Sequence, residues 1–160
     1  MGVSLSYSCS APIPQQDRAR LLEAVDQAVD SFTWWAEPIC LWEHEGSVAG
    51  DTKIFLLAYS TNAGETREVE PEDDTIMAWR DTVRILELLQ DYARTYRLVW
   101  NIDLAGEPFG QIRGDNEQDA VTFANAAKML EAITGFGPTH PELPQRIAEI
   151  DAKFSDRWES

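Results

Sequence analysis

The chain has 160 residues, and its 28 aspartates and glutamates outnumber 13 lysines and arginines, which gives a formal net charge of −15. Phosphate backbones and anionic lipids both repel such a surface, so we expect neither a nucleic acid nor a membrane as partner. Hydrophobic residues make up 44% of the chain, which is typical of a folded protein. A length of 160 residues favours one domain spanning positions 1–160.

Cysteine and histidine are too scarce for a metal site or a disulfide framework. The two cysteines, Cys9 and Cys40, lack CxxC spacing, and only two histidines are present. We therefore expect no metal and no cofactor. A reducing cytoplasm is the expected location, since nothing in the cysteine pattern indicates an oxidising compartment.

In the first half of the chain, apolar residues and serines alternate along VSLSYSCS, which predicts a strand over residues 3–10 with one buried face. An apolar stripe of helical spacing predicts a helix over residues 15–32. Two further strands are expected at 39–44 and 53–60, separated by a turn at 46–50. The nearly continuous apolar run of KIFLLAYS favours a central place for the 53–60 strand.

In the second half, residues 61–74 are polar and glutamate-rich and are predicted to form a loop. Helical spacing predicts a long helix over 75–95 with Asp74 as its N-cap. Strands follow at 98–104 and 109–113, and then a helix over 117–134 that ends at Gly135. The last predicted helix covers 142–158. Its apolar stripe consists of Leu143, Ile147, Ile150, Phe154 and Trp158.

The element order β-α-β-β-α-β, followed by β-α-α, indicates an α+β fold. The first six elements, over residues 1–104, resemble the ferredoxin-like arrangement of two interleaved βαβ units around an antiparallel sheet. Residues 105–160 then add a short strand and two helices. This arrangement hosts many unrelated functions, so the resemblance implies no activity.

The segment SFTWWAEPICLWEHEG concentrates three of the six tryptophans beside Cys40 and His44. On a helix, positions 40 and 44 would be one turn apart, close enough for a thiolate–imidazole pair. The apolar, β-favouring residues after Pro38 predict a strand instead, on which four residues span roughly 13 Å. We therefore expect no nucleophilic pair. One indole of Trp34 and Trp35 is expected to pack inward and the other to cover the sheet edge or anchor a partner.

Charge and the lack of a catalytic motif favour a non-catalytic, acidic module that binds or neutralises a basic protein. The expected contacts are Trp34 and Trp35, with carboxylates that steer the partner. These carboxylates are Glu68, Glu70, Glu72 and Asp73. In a first alternative, the polar side of the sheet binds a small ligand or catalyses a reaction with His44, Asn101 and Asp103. In a second alternative, the stripe from Leu143 to Trp158 joins two copies of the chain.

Overall fold

The computed structural model describes residues 3–60 and 63–155. Within these ranges the chain forms four helices and seven strands. In chain order they are β1 (Ser4–Cys9), α1 (Gln15–Asp30), β2 (Leu41–His44), β3 (Ser47–Lys53), β4 (Ala58–Ser60), β5 (Thr66–Glu68), α2 (Pro71–Tyr96), β6 (Trp100–Leu104), β7 (Glu107–Ile112), α3 (Asn116–Thr134) and α4 (Leu143–Lys153). Five strands form an antiparallel sheet in the order β2-β3-β1-β6-β7, and β4 pairs with β5 in a separate ribbon. The α+β class predicted from the sequence is confirmed.

The main sheet has an apolar face and a polar face because side chains alternate along each strand. Leu5, Tyr7 and Cys9 of β1 are buried in a cluster with residues of α1, α2 and α3. The serines between them point the other way, onto what we call the open face. Strand register assigns to the open face Ser4, Ser6, Ser8, Trp42, His44, Ala49, Asp51, Lys53, Asn101, Asp103 and Gln111.

A second apolar cluster joins α4 to the ribbon and to the start of α2. The ring of Phe154 meets the rings of Trp35 and Tyr59 edge to face, with centroids 5.4 and 5.1 Å apart. Leu143 and Ile150, two further members of the stripe predicted on the last helix, are buried in the same cluster. The stripe therefore packs inside the chain. Trp158 lies outside the described residues, and the oligomeric state stays a prediction.

The third strand is misplaced in the sequence prediction. The strand that pairs with β1 is β3, at residues 47–53, where we expected a turn, and the expected strand at 53–60 does not join the main sheet. Ile54 still enters the core, but Leu57 has a positive φ of 62° and the chain turns away into the ribbon. The error arises because β3 mixes Val48 and Thr52 with serine, alanine, glycine and aspartate, which weaken its strand signal, while the apolar run after it contributes only Ala58–Ser60 to a pairing, in the ribbon.

The boundary of α2 also differs from the expectation. The helix begins at Pro71, so Asp74 lies in its first turn and is not the N-cap. The predicted loop before it contains β5, which pairs with β4. By contrast, α3 begins at Asn116, one residue before the predicted start, and ends as predicted, with the Asp115 carboxylate accepting from Glu117 N at 2.9 Å and Gly135 in the left-handed conformation. The last helix, expected over residues 142–158, covers Leu143–Lys153 and ends before Phe154 and Ser155, which form a turn.

The strand order differs from that of a simple four-stranded ferredoxin-like sheet. Strand β7 adds a fifth member beside β6, and the β4–β5 ribbon is inserted between β3 and α2. The structure therefore supports an α+β fold with an antiparallel five-stranded sheet and four helices.

Candidate functional site

Both indoles of the tryptophan pair are buried. Trp34 is 8% exposed, and its Nε1 donates to the carbonyl of Val29 at 3.1 Å. Trp35 is fully buried. The two adjacent side chains enter two different clusters, so neither offers the exposed anchor that was one of two roles expected for the second indole.

Trp35 is held by a buried carboxylate on α2. Asp74 Oδ1 accepts a hydrogen bond from Trp35 Nε1 at 2.6 Å and one from Leu56 N at 2.8 Å, and Asp74 Oδ2 accepts from Leu57 N at 3.0 Å. These three donors satisfy a carboxylate that is 2% exposed. Asp74 thus connects the tryptophan segment and the chain beyond β3 to α2, which is a structural role.

A second buried carboxylate holds the backbone of the same segment. Asp81 Oδ2 accepts from Trp35 N at 2.6 Å, and Arg80 approaches Asp81 Oδ1 at 3.2 Å. Burial raises the pKa of Asp81 to about 6, against the lowering effect of the Arg80 charge and the Trp35 N–H. Arg80 also donates to the carbonyl of Thr33 at 2.6 Å and pairs with Asp151 at 3.1 Å. The partners of Arg80 and Asp81 are therefore groups of this chain, and the two side chains have a structural role.

The four carboxylates expected to contact a basic partner have two different environments. Glu68 and Glu70 are exposed. Glu72 and Asp73 instead face α4, where Arg146 Nη2 lies 3.1 Å from Glu72 Oε1 and 3.3 Å from Asp73 Oδ1. Because α4 already neutralises part of their charge, Glu72 and Asp73 are poorly suited to recruit a partner.

The polar residues expected on the sheet are only partly brought together. Ser6 pairs in register with Asp103, and Ser8 with Asn101, so these two pairs are neighbours on the open face. Gln111 Nε2 donates to Asn101 Oδ1 at 2.8 Å. His44 lies on the same face but three strands away, which corresponds to about 14 Å. No single ligand atom could therefore contact both His44 and the β6 pair.

The strand expected over residues 39–44 is shorter in the structure, where β2 covers Leu41–His44. Cys40 and His44 are therefore kept apart along the chain, and the geometry offers no thiolate–imidazole pair. The other thiol, Cys9, is buried, and burial raises its pKa to about 12. Neither cysteine is arranged for nucleophilic chemistry.

Sequence reasoning did not single out Trp42, which is the exposed tryptophan of the segment. Its side chain is 44% exposed on the open face, opposite Ala49 of β3. Two exposed carboxylates lie near it, Glu45 at the hairpin tip and Asp51 on the next strand, whereas Glu43 lies on the other side of β2 and accepts from Arg18 Nε at 3.0 Å. The signal was present in LWEH, because strand alternation places Trp42 and His44 on the polar side and Leu41 on the apolar side. An aromatic side chain among carboxylates is a suitable contact for a basic group.

Four cavities in the described part of the chain lie away from the predicted ligand residues. One of them, about 550 Å³, lies between Trp79 and residues 138–147. A second, about 420 Å³, lies beside residues 32–38, and two smaller ones adjoin residues 9–14 and 110–122. His44, Asn101 and Asp103 line none of these four.

Within residues 3–60 and 63–155, no helix combines the length and apolar character needed to cross a membrane. The same residues contain no group of three or more histidine, cysteine, aspartate or glutamate side chains placed to hold a metal ion. Searches of protein-family models, curated proteins and solved structures find no match to this chain.

Proposed function

We propose that this protein is a non-catalytic, acidic interaction module that binds a basic protein partner through the open face and the β2–β3 hairpin. The observation that carries the proposal is the exposed indole of Trp42 among carboxylates. Trp42 lies opposite Ala49, which makes Asp51 its diagonal neighbour at about 7–8 Å. A cationic side chain placed over the indole would therefore also lie near a carboxylate.

The floor of the open face is made of small side chains, so a partner can approach the sheet closely. Ser6 of β1 lies between Asp51 of β3 and Asp103 of β6, which places the two carboxylates about 10 Å apart across the sheet. Two basic side chains of one partner can reach both. The net charge of −15 adds long-range attraction and raises the association rate at low ionic strength.

The alternative of a small ligand or a substrate on the open face loses support from the geometry. It required His44, Asn101 and Asp103 to converge, and strand order separates His44 from the other two. The cavities described above are also elsewhere.

The test compares variants in capture from native lysate over a range of salt concentrations. We expect Trp42→Ala to retain about tenfold less basic protein than the wild type. We expect the same for the double variant Asp51→Asn with Asp103→Asn. Glu131→Gln, an exposed carboxylate on α3, is the control for charge alone and should bind like the wild type. Failure of the wild type to retain any basic protein at low salt, or equal losses in all variants, would contradict the proposal.

We also propose that the core is a ferredoxin-like sheet with additions. The neighbours β2-β3-β1-β6 and the chain order β1-α1-β2-β3-α2-β6 support this, with β7 and the ribbon as additions.

A further inference from the structure

The two edge strands of the main sheet, β2 and β7, differ in whether other parts of the chain cover their outward backbone groups. At the β7 edge, α3 covers the outward carbonyls. Thr122 Oγ1 donates to the carbonyl of Gln111 at 2.7 Å, and Asn125 Nδ2 donates to that of Phe109 at 2.6 Å. A strand arriving at this edge would have to displace both side chains, so the edge is closed to pairing.

The β2 edge has unpaired backbone groups. Strands β2 and β3 are joined by the two residues Glu45 and Gly46, with φ values of 49° and 79°, which is the geometry of a type I′ hairpin. In such a hairpin the flanking pair, His44 with Ser47, is hydrogen-bonded, and bonded pairs then alternate along the ladder. The N–H and C=O groups of Leu41 and Glu43 therefore point away from β3.

No described residue supplies partners for these outward groups. The hydrogen bonds of the part of the chain that the structure describes include none to the backbone N–H or C=O of Leu41 or Glu43. The neighbouring Cys40 is different, since its N and O both bond to the hydroxyl of Tyr7 at 3.0 Å. Tyr7 thus secures the start of β2 from the inside while its outer edge remains accessible.

The side chains along this edge favour a particular kind of strand. Trp42 and His44 lie on the open-face side, close to Asp51, while Leu41 lies on the apolar side. Glu45 at the hairpin tip adds an exposed carboxylate. Glu43 shares the side of Leu41, where Arg18 Nε donates to it at 3.0 Å, so the selecting carboxylates are Glu45 and Asp51. An added strand would therefore place basic residues beside Trp42 on the open face and apolar residues beside Leu41.

We propose that an extended basic segment of the partner adds to β2 as a sixth, antiparallel strand, with alternating basic and apolar side chains. This rests on the proposed function and specifies how the partner is held. Backbone hydrogen bonds to Leu41 and Glu43 give affinity, and the indole and carboxylates select for positive charge. A second copy of this chain is the less suitable occupant, because each copy carries a charge of −15 and would bring its own Glu43 and Glu45 to the junction.

The first experiment uses a blocked heptapeptide of alternating lysine and valine as the probe, measured by calorimetry at low salt. With lysines on the Trp42 side, the valine amides face β2 and the lysine amides face solvent. Methylating the valine amides should weaken binding about tenfold or more, while methylating the lysine amides should leave it within about twofold. Both methylated peptides keep the charge of the parent.

The second experiment varies the protein at one position. Glu43→Pro removes an outward N–H that does not pair with β3, and proline is tolerated at such edge positions. Glu43→Gln removes the same charge and keeps the N–H. Circular dichroism and thermal melts should show that both variants fold. We expect Glu43→Pro to bind the peptide about tenfold more weakly than Glu43→Gln.

The outcomes separate this inference from the proposed function. Equal weakening by both methylation patterns, with strong dependence on charge, would overturn strand addition and leave the basic-partner proposal standing. No binding of any lysine peptide, together with no retained basic protein in the capture test, would contradict both. A dimer in sedimentation velocity that Glu43→Pro dissociates would identify a second copy as the occupant and also overturn the inference.

Discussion

Replacing Gly50 with alanine should destabilise the fold strongly, because Gly50 leaves the space that Tyr7 needs. The two residues are opposite each other in the β1–β3 pairing. A Cβ at position 50 would overlap the Tyr7 ring and the carbonyl oxygen of Cys40, and would lie 2.9 Å from Leu41 Cδ2. Two of these three neighbours are backbone or a rigid ring in the core, so they cannot yield cheaply.

The expected loss combines two effects. Forcing a methyl group into a filled site costs about 1–3 kcal/mol. Displacing the ring also weakens the bonds from the Tyr7 hydroxyl to Cys40 and to Thr52, the latter 2.7 Å long, at about 1 kcal/mol each. Alanine also lowers the conformational entropy of the unfolded chain relative to glycine, which offsets about 0.4–1 kcal/mol of this loss. We therefore expect the free energy of unfolding to fall by about 2–4 kcal/mol.

Urea unfolding followed by tryptophan fluorescence measures this loss, and a thermal melt should show a midpoint about 6–12 °C lower. Gly137→Ala is the matched control. Its added Cβ meets only Glu131 Oε1, at 3.2 Å, the end of a flexible exposed side chain. That variant should stay within about 0.5 kcal/mol of the wild type. A loss below about 1 kcal/mol in Gly50→Ala, or equal losses in both, would refute the account of close packing at Tyr7.

Three further predictions concern α2 and α4. Between about pH 4 and pH 6 the folded chain keeps a proton on Asp81 that the unfolded chain releases, so stability should fall by about 3 kcal/mol as the pH rises through this window. Urea melts should show a shallower fall in Asp81→Asn, and identical slopes would contradict the raised pKa. Arg146→Gln should cost about 0.5–1 kcal/mol at low salt, a difference that high salt should remove. Deleting residues 141–160 exposes Trp35, so we expect the truncated chain to melt at a lower temperature and to aggregate in light scattering. If the full-length chain is instead a dimer and the truncated chain a stable monomer, the result would support self-association through α4.

Elements with a local cause could be predicted from the sequence. Strand β1 follows from strict alternation, and α3 from a capping aspartate at 115 and a glycine at 135 whose φ is 74°. Strand β3 could not be predicted, because its stability comes from pairing on both sides and from the fit of Gly50 under Tyr7. These are contacts between residues that are far apart in the sequence, and the local composition of SVAGDTK does not indicate them.

The candidate site was predicted even less completely, since exposure is set by distant residues. The sequence predicts that one indole of Trp34 and Trp35 packs inward. That both do depends on Asp74 and Asp81, about 40 positions later, which hold the segment against α2. The alternation in LWEH does indicate that Trp42 lies on the polar side of β2, whereas the net charge distinguishes none of the tryptophans.

The structure distinguishes carboxylates that are buried within the fold from those that are exposed along the β2–β3 hairpin. Asp74, Asp81 and Asp119 are buried and satisfied by donors within the fold. Those along the β2–β3 hairpin are exposed beside unpaired backbone groups. There the negative charge repels the same edge of another copy, and in our proposal it would also favour a basic strand. An exposed edge strand normally risks pairing between identical chains, so under this proposal one set of charges would both select the partner and disfavour pairing between copies.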